Sequence, residues 1–297
     1  MVAACDAGRT LELTRQRNSD GCEPPAYTLL QKLGDLLNEV VVVGGLVPSL
    51  LIDQRALPAG TDRHLGTLDL DLGLALALLD DERYRALSER LREAGFSTDV
   101  NAQGNLTRQR WRIQTPRGDK VTVDFLIPPS RPQDRAGSLR DLEPDLAAFI
   151  IPGLRLAFLD RQTVHLSGKT IFGERATRDI WVCGPGAFVA LKALAFQARG
   201  NNKDAYDLYY VVRNYGRGIE DVAARLRPML REPEAVEIPK ILKSNFLDVT
   251  GLGPVRVAQF LGGGIDEEVQ ADVVGFMERL IHNCGPQPRR GRRTRRK

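Results

Sequence analysis

The chain has 297 residues, 42% of them apolar, which is enough for one large domain or two smaller ones. No run of about 18 apolar residues is present to cross a membrane. The net charge of +4 hides an asymmetry: seven basic residues lie between Arg289 and Lys297, and the remainder sets 35 Lys and Arg against 38 Asp and Glu.

Residues 1–25 are polar and lack the apolar core of a signal peptide, so they read as a disordered arm. Cys5, Cys22, Cys183 and Cys284 are scattered without a C-x-x-C pair, which argues against a zinc site and fits a reducing cytoplasm. Tyr27–Leu37 has helical periodicity, and the β-branched run Val40–Val43 reads as a strand. Gly44 and Gly45 follow, then a helix-compatible segment with an early Pro48. Such a strand–Gly-Gly–helix junction lets backbone N–H groups approach a phosphate closely, although many tight turns need glycine for steric reasons alone. The segment from Ile52 to Leu65 is a loop that could sit over the site, in which His64 contacts a phosphate or an acceptor group or, as the favoured reading, pins the loop.

From Thr67 to Leu72 the alternation is strict, with Leu68, Leu70 and Leu72 on one face and Thr67, Asp69 and Asp71 on the other. Two carboxylates at i and i+2 repel each other unless a cation lies between them, and hard oxygen ligands suit Mg2+. Asp80–Ala94 reads as an amphipathic helix, and Phe96–Val100 and Thr107–Gln114 as strands. Arg108, Arg110 and Arg112 share one strand face, as a guide for a polyanion or as a solvated surface. Lys120–Ile127 is a further alternating strand that points Asp124, a third carboxylate, away from Val121, Val123 and Phe125.

Arg155–Leu159 and Thr163–Ser167 have the pattern of a hairpin, and Lys169–Phe172 and Asp179–Cys183 read as two more short strands. Gly184-Pro185-Gly186 marks the change to a helical second half. Helices are expected over Ala187–Arg199, Lys203–Val212, Ile219–Arg231 and Asp266–Asn283, with a Gly- and Pro-containing break at Gly251–Gly264. Lys192 interrupts the apolar run Phe188–Phe196, which calls for either a snorkelling side chain or an anionic partner. The basic end fits an arm that reaches for nucleic acid, or a solvated terminus of nonspecific affinity.

The order Gly-Gly, D-x-D on a strand, then one Asp on a later strand resembles the polymerase-β-like nucleotidyltransferase superfamily. Lys192, Arg199, Lys203, Asp204 and Asp207 on successive helices resemble the AbiEii-type members, the toxins of type IV toxin–antitoxin and abortive-infection systems. That resemblance implies an α+β fold with a mixed-sheet nucleotidyltransferase-like lobe (26–184) and a mainly helical lobe (185–285), to which the run of basic residues adds a disordered tail (286–297). It implies a cytoplasmic Mg2+-dependent enzyme that moves a nucleotidyl group from a nucleoside triphosphate to RNA, notably tRNA, with a cognate antitoxin as a further partner. Asp69 and Asp71 match the metal pair, with Asp124 as the third carboxylate. Lys192 matches the triphosphate-binding lysine, and Asp207 the helical aspartate that positions or acts as base. Gly44 and Gly45 match the nucleotide turn, with Thr67, Arg199 and Lys203 as further nucleotide contacts. Two departures stand out: Leu46 follows the glycine pair where the family usually has Ser or Thr, and the loop from Gly45 to Asp69 is long. A protein or small-molecule acceptor, or a degraded fold that only binds nucleotide or RNA, are the alternatives.

Overall fold

The computed structural model describes residues 26–67, 69–75, 81–115 and 118–285. The expected N-terminal arm (1–25), with Cys5 and Cys22, and the basic tail (286–297) lie outside the described residues, as does Leu68. The fold is α+β.

Helix α1 (26–33) and a 3-10 segment (Gly34–Glu39) lead into β1 (Val40–Val43), whose four valines are all buried. A 3-10 turn (Gly44–Leu46) and the short helix α2 (Val47–Leu51), with Pro48 at its start, follow. The loop that comes next ends in β2 (Asp69–Leu74), followed by α3 (Asp81–Glu93), β3 (Ser97–Val100), β4 (Leu106–Gln114) and β5 (Lys120–Ile127). The sheet continues with β6 (Leu139–Glu143), β7 (Leu146–Ile150), β8 (Arg161–Lys169) and β9 (Arg175–Cys183). Among the described residues the strand order is β3-β4-β5-β2-β1-β9-β8, with β7 joining the far end of β5 and carrying β6. The sheet is mixed: β2 runs antiparallel to β1 and parallel to β5, while β4 is antiparallel to β5. Period-2 alternation sends Leu70, Leu72, Leu74, Trp111, Val121, Val123 and Phe125 into the core, leaving the polar residues of β2, β4 and β5 on the opposite face.

Residues 185–285 are helical: α5 (Pro185–Arg199), α6 (Asn202–Asn214), α7 (Ile219–Met229), α8 (Ile238–Phe246), α9 (Leu252–Gly262) and α10 (Glu267–Cys284). The α5–α6 junction is encoded locally. Gly200 takes the left-handed conformation (φ 60°) and donates to the Phe196 carbonyl, and the Asn201 side chain then caps α6 by accepting from the Lys203 N–H. This tight corner sets the two helices against each other.

Three segments differ from the sequence reading. Residues Leu156–Leu159 form a short helix, α4, rather than a strand. The run Leu-Ala-Phe-Leu is too short for its periodicity to discriminate, and Leu156 and Ala157 are fully buried. The hairpin is instead β8 with β9, paired from Arg161↔Cys183 to Lys169↔Arg175, so the short strands expected at Lys169–Phe172 and Asp179–Cys183 belong to one hairpin and its turn. The expected break at Gly251–Gly264 is mostly helix α9. Its glycine is a packing device: a Cβ on Gly253 would lie 2.3 Å from the Phe246 ring, so only glycine lets α9 close on α8.

Candidate functional site

The pairing of β2 with β5 places Asp71 opposite Asp124 and Asp69 opposite Thr122, all on the polar sheet face. On the other side of β2, Val43 lies opposite Asp71, and the next residue, Gly44, turns away with φ +74°. A Cβ at Gly44 would fall 1.9 Å from Asp71 Oδ2, so glycine is required both by the backbone angle and by the carboxylate. Gly45 faces Lys203 and Thr67, where a Cβ would meet Lys203 Nζ at 3.2 Å and Thr67 Cγ2 at 3.3 Å. Leu46, which follows the glycine pair, packs against the hydrophobic core.

The three strand carboxylates have different surroundings. Asp69 is exposed and accepts a 2.5 Å hydrogen bond from Thr122 Oγ1, while its backbone N–H donates to Thr67 Oγ1 at 3.1 Å. Asp71 is half-buried. Burial first, then the charges of Asp124 and Asp69, push its carboxyl up to about 7, against an opposing pull from Lys192 and Arg110. Asp124 is buried and clamped by Arg110, with Nε to Oδ1 at 2.8 Å and Nη2 to Oδ2 at 2.5 Å. The β4–β5 register, which sets Arg110 opposite Asp124, creates this clamp.

A second cluster stands on the helices. Lys192 Nζ is buried between Asp204 Oδ1 (2.9 Å) and Asp207 Oδ2 (2.8 Å). Burial alone disfavours its charge, but the two carboxylates outweigh that and hold the ammonium protonated. Arg199 grips Asp204 from outside through Nε and Nη2 at 2.5 and 2.8 Å. Asp207 is fully enclosed: Lys203 Nζ reaches both its oxygens, at 2.8 and 3.0 Å, and His64 Nε2 lies 2.9 Å from Oδ1. Burial would raise its pKa, yet Lys192, Lys203 and His64 hold it well below the usual carboxylate range. A carboxylate held so firmly ionised positions its neighbours and does not collect protons near neutrality. The His64 ring is buried and its pKa is lowered, with desolvation the main cause. As a neutral imidazole it donates from Nε2 to Asp207 and accepts at Nδ1 from the Ser49 hydroxyl at 2.9 Å. It pins the loop, as its position suggested. The same stretch of α6 adds Tyr206, whose hydroxyl accepts from the Leu65 N–H, and Tyr210, whose hydroxyl meets Gln54 and the Asp62 carbonyl.

The two clusters meet across a cavity of about 460 Å3 between the sheet face and α5. Gly44, Asp71, Arg110 and Asp124 line it from the sheet, and Phe188, Lys192, Arg199 and Asp204 from the helices. Of the residues singled out from sequence, Gly44, Asp71, Asp124, Lys192 and Arg199 therefore share one cleft. Asp69 stands one strand repeat from Asp71, and Gly45, Thr67 and Lys203 sit together next to the turn. Asp207 lies behind Lys192. The Arg110 clamp, Thr122 and Ser49 escaped the sequence reading. The clamp's signal was the shared face of Arg108, Arg110 and Arg112, each of which finds a carboxylate: Asp141, Asp124 and Asp99.

Whether these side chains suit a divalent cation can be judged from the donor set. Among the described residues no group of three His, Cys, Asp or Glu is arranged to hold a metal. Asp124 is turned to Arg110, which leaves Asp69 and Asp71 as a pair of hard oxygen donors on one strand face. A pair fits Mg2+, which is commonly held by one or two carboxylates together with substrate phosphates and water.

No family model matches the chain, and neither curated proteins nor solved structures give a significant match. Any functional reading accordingly rests on the residues themselves.

Proposed function

We propose that this cleft is a Mg2+-dependent nucleotidyl-transfer site of the AbiEii type, which moves a nucleotidyl group from a nucleoside triphosphate to an RNA acceptor such as a tRNA end. A toxin or phage-defence effector, held in check by an antitoxin, is the biological role that goes with such a site. The observation that supports this reading best is the meeting of Asp71 and Lys192 across one cavity, although 121 positions of the numbering separate them.

In the reaction, an acceptor hydroxyl gives up its proton to solvent as its oxygen bonds to the α-phosphorus, the bond from that phosphorus to the α–β bridging oxygen breaks, and pyrophosphate leaves. Asp69 and Asp71 are the residues that would hold Mg2+, which supplies charge stabilisation for the attacking and leaving oxygens. Lys192, Arg199 and Lys203 outnumber Asp204 and Asp207, so the helical wall carries net positive charge toward a triphosphate. Asp204 and Asp207 orient these cations, and Gly44, lacking a Cβ, leaves room for the Asp71 carboxylate. His64, Tyr206 and Tyr210 fasten the preceding loop to α6 and so fix the approach to β2.

The test is incubation of the purified protein with each α-phosphate-labelled nucleoside triphosphate, Mg2+ and total RNA. Label is expected in RNA and lost on chelation. Label only on protein would move the acceptor, and no transfer with any nucleotide would refute the enzyme reading.

A further inference from the structure

The polar sheet face continues beyond the cleft. The row Asp69–Thr122–Arg112 crosses β2, β5 and β4, and the row Asp71–Asp124–Arg110 runs beside it. With strands about 4.8 Å apart, Arg112 stands only about 10 Å from the Asp69 backbone. Lys120, two residues before Thr122 on β5, extends the same face.

These cations are anchored from below. Asp99 is buried, with a side chain 6% exposed, and takes Lys120 Nζ at 2.7 Å and Arg112 Nη1 at 3.4 Å. Asp124, 9% exposed, takes Arg110. The cations themselves are 41% (Arg110), 42% (Arg112) and 48% (Lys120) exposed. A ligand approaching this surface therefore meets an outer layer of positive charge, held in place by carboxylates it barely touches. Preorganised cations lose little side-chain entropy on binding phosphate, and guanidinium planes also stack on bases. Arg110 and Arg112 are two strand residues apart, about 6.8 Å, so they offer repeated contacts to a repeating anion.

We infer that Arg110, Arg112 and Lys120 form a docking strip for a single-stranded RNA backbone, leading the acceptor end over β4 and β5 to the Asp69/Asp71 pair. The choice of RNA over another polyanion rests on the proposed nucleotidyl transfer, because the strip ends at that site. Asp99 is its anchor and touches no RNA.

The test is direct binding and needs no nucleotide, so it stands apart from the outcome of any transfer assay. A fluorescent single-stranded RNA oligonucleotide of mixed sequence is titrated by anisotropy across a potassium chloride series. The wild type is compared with a variant combining Asp99→Asn, Arg112→Gln and Lys120→Gln, which removes two of the three outer cations without stranding a buried charge. Both proteins keep the basic C-terminal residues, so the difference reads the strip alone. Two lost phosphate contacts flatten the slope of log affinity against log salt by about 1.4, at about 0.7 each. If the combined variant melts early, Lys120→Gln alone leaves Asp99 paired with Arg112 and is expected to flatten the slope by about 0.7. Superimposable lines would overturn the inference. So would a poly-glutamate peptide that binds as tightly as the RNA and loses as much in the variant, which would assign the strip to an acidic protein.

Discussion

Replacing Asp207 by Asn keeps the shape of a fully enclosed side chain and removes the charge that three neighbours share. The amide can satisfy the cluster only in part. Its oxygen faces the two ammonium groups, and its NH2 can donate to His64 Nε2 once that ring moves its proton to Nδ1. Lys192 keeps Asp204 at 2.9 Å, whereas Lys203 loses its hydrogen-bonded carboxylate. Lys203 is 28% exposed and can turn partly to water, which limits the loss. Breaking a buried ion pair from one side costs about 3–5 kcal/mol, and the lower end applies here, about 3 kcal/mol. At about 2–4 °C per kcal/mol, Tm falls by about 6–12 °C. The pH dependence carries a second signature. Because the folded pKa of Asp207 is depressed, its contribution is complete above the unfolded value of about 3.9 and is lost as pH falls through the folded value. The gap between wild type and variant should therefore begin to narrow below about pH 4 and shrink further as the acid strengthens. Urea denaturation of both proteins near neutrality and in acid measures this. A variant within about 1 kcal/mol of wild type near pH 7, or a gap that is unchanged in acid, would refute the hub assigned to Asp207.

The glycine turn gives a contrast between neighbours. Gly44→Ala drives a Cβ into Asp71 at a positive φ and should displace that carboxylate, abolish transfer and lower Tm, whereas Gly45→Ala meets only movable side-chain atoms and should retain most activity; parallel transfer and melting assays decide. Asp71 predicts the opposite sign from Asp207. With a folded pKa raised to about 7, the proton it holds stabilises the fold at low pH, and that stabilisation declines as pH rises from about 4 through 7. Asp71→Asn, melted without divalent ions, should exceed wild type by about 1 kcal/mol or more at about pH 8 and match it below about pH 4; a variant less stable than wild type at about pH 8 would contradict the crowded-carboxylate account. Lys192→Ala leaves Asp204 and Asp207 short of their shared cation, so it should both lower Tm and weaken nucleotide binding, read by melting and by equilibrium binding of labelled nucleotide.

Much of the sheet was legible because strands that are polar on one face and apolar on the other write that difference at period two. The alternation through Asp69 and Asp71 and that of Lys120–Ile127 both appear as strands within a residue or two, while Val40–Val43, buried on both faces, was legible through its β-branched run. The α5–α6 pair was legible through its punctuation at Gly200 and Asn201. What stayed hidden depends on register or on distant packing. Arg110 and Asp124 are 14 residues apart, and only the antiparallel pairing of β4 with β5 makes them partners. His64 and Asp207 are separated by 143 residues, so a loop histidine and a helical aspartate read separately give no hint of one cluster. Helix α9 was obscured by Gly253, a residue that normally weakens a helix but here admits the Phe246 ring.

The central claim is that the strand carboxylates and the helical cations form one metal-dependent transfer site. It is tested most directly by measuring transfer of α-phosphate label to RNA by wild type, Asp69→Asn and Asp71→Asn, each first shown to melt no lower than wild type. The account predicts Mg2+-dependent labelling by wild type and none above background by either variant. Wild-type labelling by either variant, in an assay that chelation stops, would place the metal elsewhere and contradict it.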